Sequence, residues 1–181
     1  MSHCHPIPIT RLFRAQYQSP IGVCTCVASD DALLALWIAG QRVPYYMQNA
    51  ECIDTQSHPI FNQTFAWLDR YFLGSVPQTE VPLATFGTDF QRLVWAVLRT
   101  IPYGKLITYG EIAKIVAAKL NVPRMSAQAV GNAIGRNPIA IIIPCHRVVA
   151  TNGLGGYQGG LSLKRKLLSI EKIKLPNAMH Q

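Results

Sequence analysis

The sequence has no long apolar run and no disulfide framework. Its uninterrupted apolar segments stay far below the roughly 18 residues that a membrane-spanning helix needs, and the first residues form no continuous hydrophobic signal segment. The 5 cysteines are an odd number without a framework spacing, which fits a reducing compartment where a thiol stays free. We therefore expect a globular protein inside the cell, in the cytoplasm or, in a eukaryote, in the nucleus.

Acidic residues are scarce in the second half of the chain. Residues 84–181 carry 13 Lys and Arg against Asp89, Glu111 and Glu171, a net charge of +10. Residues 1–83 carry 4 Arg against 6 Asp and Glu, a net charge of −2. This asymmetry favours a polyanionic partner, most simply nucleic acid. A basic surface without any partner is the alternative, and charge alone leaves it open.

A phosphate-binding loop of the form G-x-x-x-x-G-K-[ST] is also missing, and we expect no cofactor. Glycines are instead dense in residues 151–160, where they surround one aromatic residue, Tyr157. Because glycine has no Cβ, such a loop lets the backbone approach a ligand closely or take left-handed conformations.

The first half of the chain predicts a small sheet followed by one helix. Short runs that alternate apolar and polar residues, with turns at Ser19-Pro20 and Asp30-Asp31, predict an antiparallel meander. After a polar loop, apolar residues at helical spacing predict a helix that ends at Gly74. The predicted strands are 9–17, 22–28 and 33–38, the loop is 41–57, the helix is 59–73 and the candidate linker is 75–87.

The second half predicts mostly helices. Thr88, Thr108 and Ser126 can each cap a helix, and Glu111 completes a capping box with Thr108. The middle pair of helices predicts a helix-turn-helix, which binds DNA in some proteins and is only structural in others. The four helices are predicted at 89–99, 109–120, 127–134 and 161–173. The fold class is therefore α/β (α+β), with an N-terminal domain over 1–80 and a mostly helical C-terminal domain over 86–175.

The apolar run at 139–143 ends in Pro144-Cys145-His146-Arg147. It predicts a buried strand that carries a thiol to the edge of a core, with an imidazole beside it. If the chain turns at Pro144, His146 can accept the thiol proton directly or through one water, and Glu171 can hold the useful tautomer. A buried, inert Cys145 beside a satisfied His146 is the alternative.

Three further residues bear on this site. Tyr109 starts a predicted helix, where its phenol could donate to a leaving group or simply lie at the surface. Asn137 precedes Pro138 and could either fix the backbone that leads to Cys145 or form an ordinary turn. We expect Arg147 to be a structural ion-pair partner rather than a catalyst.

Several of these motifs, in this order, resemble those of the O6-alkylguanine-DNA alkyltransferases, which repair DNA by direct reversal. The motifs are Ala129-Val130-Gly131, Arg136-Asn137-Pro138, Ile143-Pro144-Cys145-His146-Arg147-Val148 and Gly156-Tyr157-Gln158-Gly159-Gly160. The resemblance covers roughly residues 86–173 and is weak over 1–80.

The resemblance implies a single-use methyltransferase that acts on double-stranded DNA containing O6-alkylguanine. The helix-turn-helix would bind the minor groove, and the damaged guanine would be flipped out beside Cys145, whose thiolate would take the alkyl group from O6. His146, Glu171, Tyr109 and Asn137 would serve the reaction. The residues implied to contact DNA or the flipped base are Ala127, Gln128, Ala129, Gly131, Ile134, Val148, Thr151, Tyr157 and Gln158.

Residue 128 differs from the pattern of many family members, and the zinc site of some members has no clear counterpart here. Many family members have an arginine where this chain has Gln128, and that arginine fills the gap left by the flipped base, so extrusion here is expected to be weaker or to be assisted by Arg124. Some members bind a structural zinc ion. Cys4, His5, Cys24 and Cys26 are ligand types, but their spacing follows no zinc-finger pattern, and we predict no metal site.

Two other classes of protein stay open. A non-catalytic lesion sensor or helix-turn-helix regulator could share the scaffold, although relatives of that kind lack the cysteine that is present here at Cys145. A cysteine hydrolase would need an oxyanion hole and repeated turnover. No coiled-coil repeat or apolar stripe points to self-association, so we expect a monomer.

Overall fold

The structure, a computed structural model, describes residues 11–77 and 79–175, which divide into two units. The first unit runs to Phe86 and also includes Pro138–Ala140, and the second contains Gly87–Asn137 and the chain from Ile141 onward. The sequence-based boundaries at 80 and 86 stay a prediction about which parts fold independently. Within the described residues, no helix is both long and apolar enough to cross a membrane.

The first unit is built on a four-stranded sheet with strand order β3-β2-β1-β4. β1 pairs antiparallel with β2, and β2 with β3, which is the predicted meander. The predicted loop at 41–57 is more ordered than expected, because it contains a 3-10 helix, Tyr45–Met47, and a short strand parallel to β1. The strands are β1 (Phe13–Ser19), β2 (Gly22–Ala28), β3 (Leu33–Ile38) and β4 (Ile53–Asp54).

One helix, α1 (Pro59–Phe72), packs against this sheet. His58 caps its N-terminus, Pro59 occupies the first turn, where a missing N–H costs nothing, and Gly74 follows with φ of +73°. Its inner face buries Ile60, Phe61, Thr64, Leu68 and Tyr71.

A segment from far along the chain completes the first unit. Pro138–Ala140 runs beside β3, where the Leu36 N–H donates to the Pro138 carbonyl (3.0 Å) and the Ala140 N–H donates to the Leu36 carbonyl (2.8 Å). The buried apolar run at 139–143 therefore begins by pairing with a sheet. It does not continue as a regular strand, because Ile141 takes a φ of +68°, in the left-handed region that β-branched residues rarely adopt.

Up to residue 175, the second unit contains four α-helices and a two-stranded parallel sheet. The helices begin at the predicted caps, since Thr88, Thr108 and Ser126 each accept a backbone N–H, and both Thr88 and Thr108 form capping boxes. The last helix ends earlier than the predicted 173, because Glu171 caps it and Lys172 takes a φ of +57°. The elements are α2 (Asp89–Arg99), β5 (Ile107–Thr108), α3 (Tyr109–Lys119), α4 (Ala127–Ile134), β6 (Val148–Val149) and α5 (Gly160–Ile170).

The helix-turn-helix, α3 and α4, is held in place by α2. Trp95 of α2 is almost fully buried, and its indole N–H donates to the Ala133 carbonyl near the end of α4 (2.9 Å). This bond ties the end of α4 to α2. The chain leaves α4 through Gly135 and reaches Asn137 one turn later.

Candidate active site

Cys145 lies on a 3-10 turn, Cys145–Arg147, that leads directly into β6. The side-chain amide of Asn137 donates from Nδ2 to the Ile143 carbonyl (2.8 Å) and to the Cys145 sulfur (3.1 Å). The chain between these residues thus folds back on itself and places the thiol of Cys145, which as a whole residue is partly exposed, against the end of α4. In a strand, the adjacent side chains of Cys145 and His146 would point to opposite faces. Because both residues lie in the turn, this restriction does not apply to them.

His146 is fully buried beside this thiol and is held by Glu171. Its Nε2 donates to Glu171 Oε1 over 2.6 Å. The same carboxylate accepts hydrogen bonds from two guanidinium nitrogens of Arg147 and another from the Gly104 N–H (3.0 Å). With Nε2 facing the carboxylate, Nδ1 is the ring nitrogen suited to accept the thiol proton.

Burial and charge set the protonation of this group. Burial raises the pKa of Cys145, although the Asn137 hydrogen bond and the charge of Lys164 oppose the rise. Burial also lowers the pKa of His146, against the pull of Glu171. For Glu171, burial would raise the pKa, but hydrogen bonds from His146 and Arg147 outweigh it and lower the pKa to about 2. The resting site therefore contains a neutral thiol, a neutral imidazole and an ionised carboxylate.

Arg147 forms the structural ion pair that the sequence predicts. Its guanidinium contacts both oxygens of Glu171, donates to the Ile101 carbonyl (2.6 Å) and lies over the Tyr103 ring, 5.6 Å from its centroid. Because Arg147 neutralises Glu171, the carboxylate orients His146 without making it a strong base.

Tyr109 faces the site from the first turn of α3. Its hydroxyl donates to the Gly156 carbonyl (3.3 Å), and burial followed by the charge of Cys145 raises its pKa, so the phenol stays protonated. A Cβ built on Gly131 would lie 3.8 Å from its ring, so Gly131 of α4 packs against Tyr109. The structure therefore brings α3 to the glycine-rich loop and packs α4 against the same Tyr109.

The other sequence-predicted binding residues lie in two groups. On α4, Ala127 and Gln128 are exposed, Ala129 is partly exposed and Ile134 is buried at its inner side. Gln128 donates to Asn132 one turn away (3.4 Å). In the segment after Cys145, Val148 is fully buried, Tyr157 is partly buried, and Thr151 and Gln158 are exposed.

Lys164 was missed by the sequence reasoning. It is fully buried on α5, and its ammonium donates to the carbonyls of Val148, Leu154 and Gly156. A signal for its burial existed, because Lys164 stands three and four residues before Leu167 and Leu168, on the apolar face of the helix. Gly104 was missed as well, and its φ of +73° marks the turn from which it reaches Glu171.

Among residues 11–77 and 79–175, no group of three or more His, Cys, Asp or Glu side chains is placed to hold a metal ion. Cys24 and Cys26 are buried in β2, whereas Cys4 and His5 lie outside the described residues.

Comparison with known proteins gives a consistent match over both halves of the chain. The family described as 6-O-methylguanine DNA methyltransferase matches through its ribonuclease-like domain at residues 12–85 and its DNA binding domain at residues 89–173. A methylated-DNA–protein-cysteine methyltransferase of Mycobacterium bovis is 50% identical over 159 residues, covering 87% of this chain and 91% of the relative. A methylated-DNA–protein-cysteine methyltransferase of Haemophilus influenzae is 37% identical over 167 residues, covering 91% of this chain and 89% of the relative.

A solved structure also matches most of the chain. The crystal structure of the Mycobacterium tuberculosis protein OGT in complex with DNA aligns with a TM-score of 0.77 and 38% identity, covering 92% of this chain and 96% of that one.

Proposed function

Because the chain belongs to the 6-O-methylguanine DNA methyltransferase family, we propose that it repairs DNA by transferring an alkyl group from O6 of guanine to its own Cys145. The observation that carries this proposal is the chain of contacts from Asn137 to Cys145 and from His146 to Glu171. It provides a nucleophile, a base for its proton and a group that orients the base.

The reaction needs one proton transfer and one displacement. His146 Nδ1 takes the thiol proton, directly or through one water, while the Asn137 N–H stabilises the sulfur as it gains negative charge. The sulfur then attacks the alkyl carbon, so that an S–C bond forms as the C–O6 bond breaks. Guanine leaves with the electron pair of that bond and takes up one proton, which restores the neutral base.

Tyr109 supports the leaving base in this proposal. Its phenol stays protonated and bonds only at long range to the Gly156 carbonyl (3.3 Å), so its single O–H can turn from that carbonyl and donate to the guanine as negative charge develops there. Val148 and Gln158 would contact the base through backbone groups, and Ile134 and Tyr157 would form the walls around it.

The DNA would be held by α4 of the helix-turn-helix, in the minor groove. The small side chains of the exposed Ala127 and the partly exposed Ala129 leave room for close approach to the duplex. The lesion would reach Cys145 by flipping out of the stack, which costs a few kcal/mol and costs least for a poorly paired base. Phosphate contacts from the basic second half would make binding salt-dependent. We propose that the protein does this as a monomer, in the cytoplasm or nucleus.

The same chemistry makes each molecule single-use. The product is a thioether, which has no carbonyl for water to attack, so no residue of the site can restore the thiol by hydrolysis. One molecule would therefore repair one lesion.

Intact mass spectrometry tests the proposal. The protein is incubated with a duplex that contains one O6-methylguanine, and a parallel sample contains Cys145→Ala. A gain of one methyl group in place of hydrogen, mapped to Cys145 and missing from the variant, is expected. An unmodified protein that only shifts the duplex in a gel would instead identify a non-catalytic lesion sensor.

A further inference from the structure

Lys164 is a buried cation whose hydrogen bonds go entirely to backbone. Its side chain is fully buried, and none of the ion pairs in the described residues includes it. An ammonium has three N–H donors, and the carbonyls of Val148, Leu154 and Gly156 account for three. Burying such a charge is costly unless it is fully hydrogen-bonded, so its place on α5 calls for an explanation.

The three carbonyls come from two separate pieces of the site. Val148 follows the Cys145–Arg147 turn directly, whereas Leu154 and Gly156 belong to the glycine-rich loop. One side chain therefore ties the loop to the strand beside the reactive thiol. Tyr109 contacts the same loop through the Gly156 carbonyl (3.3 Å).

The charge of Lys164 also acts on Cys145. A positive charge near a thiol favours its thiolate, and Lys164 opposes the burial that raises the pKa of Cys145. The effect is mutual, because burial lowers the pKa of Lys164 to about 8 and Cys145 opposes that change. The other titratable groups near it are His146, whose charged form Lys164 disfavours, and Tyr109, which shares the Gly156 carbonyl.

We propose that Lys164 is a positioning residue whose ammonium holds the glycine-rich loop in its base-binding shape and stabilises the thiolate of Cys145. Both effects require that Lys164 is protonated. This rests on the proposed function, because the loop matters only if a base is bound there. Loss of the Lys164 proton removes one donor and the charge together. The loop then loosens at the same pH at which the positive charge that favours the thiolate is lost.

Two reactions of the same thiol separate this role from a merely structural one. Iodoacetamide reports the thiolate alone, whereas methyl transfer from a saturating O6-methylguanine duplex in a single turnover also needs the loop. For the unmodified chain, we expect the iodoacetamide rate to rise with pH, since the thiolate is the reactive form. We expect the transfer rate to fall above about pH 8, where Lys164 loses its proton.

Variants at this position sharpen the test. Lys164→Met should slow iodoacetamide at neutral pH by about tenfold, which corresponds to about one unit of thiol pKa, and should slow methyl transfer more. Lys164→Arg keeps the charge and does not titrate in this range, so it should retain a substantial transfer rate without the alkaline fall. Lys166→Met, at an exposed position of the same helix, is the control and should change neither rate.

The pH profile of the unmodified chain keeps the proposal falsifiable even if Lys164→Met does not fold. A transfer rate that keeps rising through pH 9, or a folded Lys164→Met with unchanged rates in both reactions, would overturn it. If the duplex transfers no methyl group at all, the proposed function fails. The role of Lys164 in supporting the thiolate is then still decided by iodoacetamide on Lys164→Met.

Discussion

The side-chain amide of Asn137 lies 3.1 Å from the sulfur of Cys145 and donates to it, while the same nitrogen donates to the Ile143 carbonyl at 2.8 Å. One residue at the end of the helix-turn-helix thus fixes both the position of the thiol and the path of the chain that leads to it. The DNA-binding element and the reactive group are joined within eight residues of sequence.

This contact predicts a defined effect of Asn137→Ala. A hydrogen bond to a charged group contributes about 1.5–3 kcal/mol, so loss of the N–H to the developing thiolate should slow methyl transfer by roughly 10- to 100-fold. The iodoacetamide rate at neutral pH should fall in the same direction. Asn62→Ala, at an exposed position of α1, is the control. A folded Asn137→Ala that transfers methyl groups at the unmodified rate would show that the contact is incidental.

The Glu171 carboxylate predicts a pH dependence of stability. Its pKa is lowered from 4.5 to about 2 in the folded chain, so its contribution is fully present above pH 4.5 and is lost as the pH falls towards 2. The contribution is of the order of 3 kcal/mol. Urea unfolding should therefore give a free energy that declines below pH 4.5, and this decline should be smaller in Glu171→Gln than in the exposed control Glu51→Gln. Equal slopes in the two variants would contradict the assignment.

Glu171→Gln alone leaves the buried Arg147 without its counter-ion, which costs about 3–5 kcal/mol. Adding Arg147→Met should recover much of this stability, because removal of both charges is far less costly than removal of one. Methyl transfer should stay slow in the double variant, because a neutral amide in place of the Glu171 carboxylate cannot stabilise the positive charge that His146 gains when it takes the thiol proton. Recovery of both properties together would mean that Glu171 acts only through stability.

Gln128 predicts a gain of function. It is exposed on α4 and bonds only weakly to Asn132 (3.4 Å), so the side chain is available to enter a duplex. Gln128→Arg should speed methyl transfer from a duplex, because a longer cation can stack in the gap left by the flipped base, and should change transfer from a single strand little. Arg124→Gln tests whether Arg124 now assists extrusion. If the unmodified chain and Gln128→Arg transfer methyl groups from the duplex at equal rates, residue 128 takes no part in extrusion of the base.

Gly155 and Gly153 lie in the same loop, so alanine substitutions at these two positions can test whether the loop geometry matters. A Cβ on Gly155 would lie 2.8 Å from the Tyr109 ring and 3.1 Å from the Ala150 nitrogen, and its φ is +67°. Gly155→Ala should therefore displace Tyr109 or the loop, at a cost of about 1–3 kcal/mol, and should slow transfer. A Cβ on Gly153 meets nothing within 4 Å, so Gly153→Ala should leave melting temperature and rate nearly unchanged. The same loss in both variants would mean that the loop simply needs flexibility.

Local features of this fold could be predicted from sequence, and long-range ones could not. Thr88, Thr108 and Ser126 begin their helices as predicted, because a cap is decided by residues within one turn. The path at Ile141 could not be predicted, because the residues just before it pair with Leu36, about a hundred positions earlier in the sequence.

The site divides in the same way. Cys145, His146 and Asn137 are close in sequence, and their motifs identify them. Lys164 looks like one of several surface cations at the start of a helix, and its burial follows only from carbonyls that the loop brings to it. The turn at Cys145, in place of the expected strand, likewise depends on the bond from Asn137 to Ile143.

The number of lesions repaired per molecule tests the central claim most directly. A known amount of active protein is mixed with excess duplex containing O6-methylguanine, and the guanine restored is counted over time. A rapid rise to one guanine per molecule and then a plateau, with all the methyl groups recovered on Cys145, is the expected result. Continued turnover beyond one, or restored guanine with an unmodified Cys145, would contradict a single-use acceptor.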